Sequence, residues 1–260
     1  MMQEVRRAFS IRLVGPLLAL GLGLAAPAEA KPGKEPARHD AASGKEPNKP
    51  AGDGMQVSGS GLVGQLDAPA CEKVLREAAP EVKKCYEEAA SRLFYLGGRL
   101  TAKLTIGASG QPRTVALTQS TVGSYEVERC IVTALGKLHF PPPKGGDGEL
   151  TYPVEFAAKT PVGSFSEQQV LGKLDVAKLK PCQAKAKKPK AGDKIAAVGA
   201  MHATLYIGPG GQVTAVGFSA EDPIDDGVAR CLRDKIQAAR LDDPLGKMVK
   251  ASVDLGAADR

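Results

Sequence analysis

Leu104-Thr105-Ile106-Gly107-Ala108-Ser109-Gly110-Gln111 returns downstream as Leu205-Tyr206-Ile207-Gly208-Pro209-Gly210-Gly211-Gln212. The likeness runs without a gap from Gly98–Pro143 onto Gly199–Pro244, and Arg129-Cys130-Ile131 falls on Arg230-Cys231-Leu232. About a dozen identities and matching polarity elsewhere mark an internal duplication, so the fold specified by the first copy is specified twice.

Within each copy the local pattern is legible. Leu100, Ala102, Leu104 and Ile106 alternate with Arg99, Thr101, Lys103 and Thr105, and Met201, Ala203, Leu205 and Ile207 repeat the alternation. Period two over this length predicts a half-buried strand. Ser109-Gly110 and Gly210-Gly211 then turn the chain as two-residue hairpin loops, and Val115, Leu117, Val216 and Phe218 continue into a second strand. Ser124 and Asp225 are N-caps for a helix whose buried faces are Val127, Ile131, Leu135 and Leu138, and Val228, Leu232, Ile236 and Ala239. Cys130 and Cys231 should then point at the sheet. Leu150, Tyr152, Val154 and Phe156 form a third strand, as do Val249, Ala251, Val253 and Leu255. Pro153 cannot donate to a ladder and places this strand at an edge.

Ahead of each copy, Leu62–Asp67 and Val170–Asp175 read as extended lead-ins ending on an N-cap Asp. A helix follows to about Leu93, kinked or restarted at Pro80, and its counterpart runs from about Val176 to Lys187 with Pro181 against it. The fold class is α+β: two tandem α-β-β-α-β units, each a small three-stranded antiparallel sheet with two helices on one face.

The N-terminus reads as a targeting segment. Arg6, Arg7 and Arg12 flank an apolar run, Leu13 to Ala26, and Ala28-Glu29-Ala30 is a small-x-small cleavage site. The run is short of the roughly 20 residues that cross a bilayer; a retained signal anchor is the alternative. No cysteine follows the run, which argues against lipoprotein processing. The organisation expected is a cleavable signal peptide over 1–30, a flexible Pro/Gly/Lys/Glu-rich tether over 31–60, and domains over 61–160 and 161–260. A periplasmic or secreted location follows. The formal net charge of +6 is local: Lys173–Lys194 holds eight Lys against two Asp.

An oxidising compartment changes how the five cysteines read. Cys85 with Cys130, and Cys182 with Cys231, would each join the two helices of one unit; the other reading is buried thiols packing as small apolar groups. The odd count leaves Cys71 over, either buried or joined to a partner chain.

Four motifs carry a family resemblance: Cys85-Tyr86-Glu87; Gly98-Arg99-Leu100; Ser120-Thr121-Val122-Gly123 leading to Glu128-Arg129-Cys130; and His139-Phe140-Pro141-Pro142-Pro143 closing on Tyr152-Pro153-Val154-Glu155-Phe156. Over about Leu66 to Phe156 the chain resembles the TonB C-terminal fold, and within it the AgmX/PglI-type C-terminal domain. The second copy is degenerate: Gln183 stands for Tyr86, and Leu241-Asp242-Asp243-Pro244 for Phe140-Pro141-Pro142-Pro143. The resemblance implies a non-enzymatic periplasmic module that engages envelope proteins. Energy transducers of this kind keep a membrane anchor and carry one such domain, so the doubling and the cleavable leader set force transmission in doubt.

Two candidate binding features remain. The third strands, Leu150, Tyr152, Val154 and Phe156 with Val249, Ala251, Val253 and Leu255, offer edges that accept an extended peptide by β-augmentation, unless the edges pair with each other or are covered. Lys178, Lys180, Lys185, Lys187, Lys188, Lys190 and Lys194 form a basic patch that would touch an anionic envelope surface weakly, or is simply a solvated loop. The expected partners are envelope proteins or a second copy of the chain, with no nucleic acid, since no aromatics interleave the lysines. Neither a small-molecule substrate, a cofactor nor a metal is expected: His139 and His202 lack ligand spacing, and Glu221, Asp222, Asp225 and Asp226 lack a calcium-loop pattern. No nucleophile, base and orienter occur together, so the chain reads as no enzyme.

Overall fold

Asp67 opens the first helix, α1 (Ala68–Ala90), by accepting the Ala70 amide at 3.1 Å. The computed structural model describes residues 64–189, 192 and 194–256. The signal-peptide and tether expectations, Leu62-Val63 and Lys190 lie outside the described residues, all of which belong to one compact unit, Lys49–Arg260. α1 does not break at Pro80. Its buried stripe of Cys71, Leu75, Ala78, Val82, Cys85 and Ala89 continues on both sides of the exposed proline, so packing holds the helix across the missing N–H.

Strands β1 (Gly98–Ile106) and β2 (Pro112–Ser120), helix α2 (Tyr125–Leu135) and strand β3 (Gly148–Phe156) follow. The sheet is antiparallel in the order β2-β1-β3, with Thr101 opposite Pro153. Leu100, Leu104, Ile106, Val82, Ile131, Leu135 and Leu150 fill the space between sheet and helices. Tyr86 stacks on Phe156 with ring centroids 4.4 Å apart and donates its hydroxyl to the Ala157 carbonyl at 2.7 Å, fixing α1 to the end of the sheet.

The second half differs from expectation at its start. A two-residue strand, β4 (Gly163–Ser164), and a short helix, α3 (Glu167–Leu171), precede strands β5 (His202–Gly208) and β6 (Gln212–Ser219), helix α4 (Asp226–Ala238) and strand β7 (Val249–Asp254). α3 replaces the extended lead-in at Val170-Leu171 because Ser166 and Gln169 make a reciprocal capping box. The helix expected over Val176–Lys187 is instead two 3-10 turns, Val176–Lys178 and Lys180–Lys185. Pro181 removes a donor there, and what holds the segment is burial of Val176, Leu179 and Cys182. The sheet has four strands, not three, in the order β4-β7-β5-β6, with β4 parallel to β7.

Neither hairpin is a two-residue loop. Residues 107–111 join β1 to β2, and the turn Pro209–Gly211 joins β5 to β6. Both loops serve the same purpose. Phe140 N–H donates to Gly110 O at 2.8 Å, and Leu241 N–H to Gly211 O at 2.9 Å, tying the segment after each helix to the hairpin. A Cβ would lie 2.1 Å from Phe140 O at Gly110 and 1.9 Å from Leu241 O at Gly211, and φ is +81° and +70°, so only glycine fits either place.

β5 is not half-buried. Ala203, Leu205 and Ile207 face the core with α4, while Thr204 and Tyr206 on the opposite face are equally buried, at 2% and 1% exposure, against the first half. β5, in the middle of the second sheet, is therefore covered on both faces.

Two disulfides are present, Cys85–Cys130 and Cys182–Cys231. Cys130 is exposed on α2 rather than turned to the sheet, because its partner lies on the neighbouring helix; Val127, Ile131 and Leu135 take the sheet-facing places. Cys71 is a buried free thiol. Sequence separations of 45 and 49 residues make each bridge a long loop closure, stabilising by about 4 kcal/mol in the chain-entropy model. The second bridge matters more, since it fastens the 3-10 segment, which has no helix of its own, to α4. The double variant Cys182→Ala, Cys231→Ala is expected to lose about 3–4 kcal/mol in urea unfolding; an unchanged midpoint would show that the bridge does not carry this load.

Candidate functional site

Two residues of the resemblance motif, Ser120 and Gly123, converge on a third, the buried Glu128. Glu128 on α2 is 4% exposed. Its Oε1 takes the Ser120 hydroxyl at 2.6 Å and its Oε2 the Phe218 N–H at 2.6 Å. The Gly123 backbone bonds it as well. Phe218 belongs to β6, so a carboxyl of the first half is completed by an amide of the second. Room for it exists because position 217 has no side chain: a Cβ on Gly217 would lie 2.2 Å from Glu128 Oε1. Burial pushes the Glu128 carboxyl up to about 8 against the lowering effect of its three donors.

Around Glu128 the halves meet reciprocally. Tyr125 and Asp226, 101 residues apart and so at equivalent repeat positions, bond at 2.6 Å. Arg129 Nε reaches Asp226 at 2.9 Å, and Arg230, the counterpart of Arg129, reaches Tyr125. Lys103 pairs with Glu221 at 3.5 Å, while their counterparts Thr204 and Ser120 are joined by a hydroxyl-to-carbonyl bond of 3.1 Å. Contacts of i with j and of j with i are the mark of a two-fold interface. Burial draws the Asp226 carboxyl upward, yet the Tyr125 hydroxyl and both arginines hold it below the usual range.

Away from the helices the symmetry fails. Tyr206 leaves β5 for the first half, where its hydroxyl donates to Gly97 O at 2.9 Å and its ring lies 5.0 Å from that of Tyr95. Lys250 donates to the same carbonyl at 2.6 Å, and burial lowers its ammonium below the ordinary lysine range. Deep burial raises the Tyr206 phenol to about 12.

The expected strand edges fare differently. β3 is the outer strand of its sheet, as Pro153 foretold. The residues named for it, Leu150, Tyr152 and Phe156, point into the core, with Val154 partly buried; the accessible side chains are Glu149 and Glu155, flanking the partly exposed Thr151. β7 is not an open edge. β4 lies beside Val249 and Lys250, with Gly163 N–H donating to Met248 O at 3.1 Å and Phe165 N–H to Lys250 O at 3.0 Å. Further along, the Asp254 amide bonds the Glu167 carboxylate at 2.7 Å. Val249, Ala251, Val253 and Leu255 are core residues. The chain between the two halves thus occupies the place a partner strand would take, a contact that a two-residue strand leaves no periodicity to announce.

The described lysines of the basic patch are all exposed. Lys178 pairs with Asp175 at 3.1 Å, and the Lys187 amide donates to Asp225 at 3.3 Å, so carboxylates are mixed into the strip. Among the described residues no cluster of His, Cys, Asp and Glu could hold a metal ion, and no helix is long and apolar enough to cross a membrane.

Comparison with family models, with curated proteins and with solved structures returns no match.

Because the folded Glu128 holds its proton to about 8 and an unfolded glutamate near 4.5, the folded state binds more protons between these values. Stability is then greatest below about 4.5 and falls as pH rises through 8, by at most about 1.4 kcal/mol per pH unit from this group. Glu128→Gln can still accept from Phe218 and donate to Ser120. Urea unfolding across pH 5 to 8 should therefore show a flatter profile for this variant; parallel profiles would mean Glu128 is ionised in the fold. Gly217→Ala, which drives a methyl into the carboxyl, should destabilise by about 2–4 kcal/mol, measured the same way.

Proposed function

We propose that this chain is an exported, non-catalytic protein-interaction module of the cell envelope, made of two tandem TonB-C-like units of which the second is degenerate. Its binding element is the outer edge of β3, which takes an extended segment of an envelope protein by β-augmentation. One contrast supports this reading: β7 has β4 beside it, whereas β3 has no strand on its outer side among the described residues. The two disulfides fit an oxidising compartment, and the resemblance motifs point to the envelope. The lysine strip adds at most a weak attraction to an anionic surface.

Pro153 limits how the edge is used. It leaves a gap in the row of donors, so an added strand is bonded on either side of it and a second β3 edge makes a poor partner. The edge is thus guarded against self-pairing while its ends stay open.

A photo-crosslinking residue at Thr151, carried by the native chain in intact envelopes, tests the reading. The expected product is a discrete adduct with another envelope protein. A homodimer alone would replace it with self-association through the edge, and no adduct would remove the edge from consideration. Pro153→Thr restores an N–H, and size-exclusion chromatography should show concentration-dependent dimer where the native chain stays monomeric.

A further inference from the structure

The two-fold seam is incompletely filled. Between α2, α4, β2 and β6 lies a cleft of about 300 Å³, at the small end of the range for organic ligand sites. Its floor is Leu117, Phe218, Ala229 and the buried Glu128; Arg129 and Thr133 are the exposed residues at its mouth. Val115, Val132 and Ile224 line its walls and stay partly exposed, so apolar surface that a tight seam would cover faces solvent here. The space has a definite origin. Ala229 is the repeat counterpart of Glu128, and where symmetry would seat a second long side chain the degenerate copy has a methyl group.

We infer that this cleft binds a small anionic amphiphile, its apolar body against Val115, Val132, Ile224 and Phe218 and its carboxylate-type head on Arg129. Charge and geometry choose this class. Asp226 at the cleft is already met by Tyr125, Arg129 and Arg230, so it has no call on a cationic ligand. Arg129 approaches Asp226 most closely through Nε, at 2.9 Å, and its two terminal nitrogens donate no hydrogen bond among the described residues. A guanidinium held by one nitrogen presents the others as a fork for a carboxylate. Glu128 does not repel the anion at neutral pH, since its carboxyl stays protonated to about 8. The inference is independent of the β3 edge and concerns a ligand, not a substrate.

Titration calorimetry of the full chain at neutral pH with monomeric decanoate, decanol and decyltrimethylammonium tests it. Decanoate should bind at a single site, decanol about tenfold more weakly, as expected for loss of a charge-assisted contact, and the cation not at all. Arg129→Gln should bring decanoate down to the decanol level without changing decanol. Ala229→Leu fills the floor, and Thr133→Trp bars the mouth from an exposed position that leaves the core untouched; each should abolish binding with far-UV circular dichroism unchanged. If Ala229→Leu fails to fold, Thr133→Trp decides alone. No decanoate binding by the native chain, undiminished binding by Thr133→Trp, or equal binding of the cation would overturn the inference.

Discussion

Everything else in this fold answers to one carboxyl group buried where the two halves of the chain meet. An acid buried without partners would cost several kcal/mol, so Glu128 is tolerable only where Ser120, Gly123 and Phe218 all present donors to it. Two of those three come from the first half and one from the second. The first half cannot satisfy its own motif without β6 alongside, and β6 cannot come alongside unless residue 217 is glycine. Local sequence, backbone sterics and the packing of the halves are thereby linked in one place.

Around this node the halves are paired as two protomers would be, through Tyr125 with Asp226 and through reciprocal contacts of Arg129, Arg230, Lys103, Glu221, Ser120 and Thr204. The pairing is uneven, and the unevenness is chemical. The second half has Glu221, Ile224 and Ala229 where the first has Ser120, Gly123 and Glu128. One acid inserted across a two-fold seam fills one side and leaves a cleft on the other. The same asymmetry spreads outward, since Tyr206 and Lys250 bond the first half at Gly97 while the opposite face of β1 carries the partly exposed Thr101, Lys103 and Thr105. β5 is thus buried on both faces, whereas β1 keeps one face partly open.

This arrangement decides where interaction surfaces can exist. β6 is held against the first half, where Ala220 N–H reaches Leu117 O at 2.8 Å, and β7 is flanked by β4. Of the third strands of the two repeats, β3 has no strand on its outer side among the described residues, and Pro153 moderates that edge. The disulfides play a different part. Cys85–Cys130 joins two full helices, whereas Cys182–Cys231 holds a segment that lacks one, so covalent closure substitutes for the helical packing that Pro181 prevents.

Legible along the chain were the six repeat strands, the second helix of each half and the caps, because alternation at Leu100–Ile106, three- and four-residue spacing at Val127–Leu135, and the side chains of Asp67, Ser124 and Asp225 act over a few residues. The sequence also offered the cysteine pairings, since both ends lie on elements whose order was readable. It placed Ser120, Gly123 and Glu128 in a single motif without showing what they do. It took the folded chain to bring these residues together at Phe218, to bury β5 on both faces, to lay β4 along the edge of β7, and to leave a cleft in the seam beside Ala229. Each of these joins positions far apart in the chain through backbone amides or empty volume, and neither an amide nor a void has a residue type to announce it.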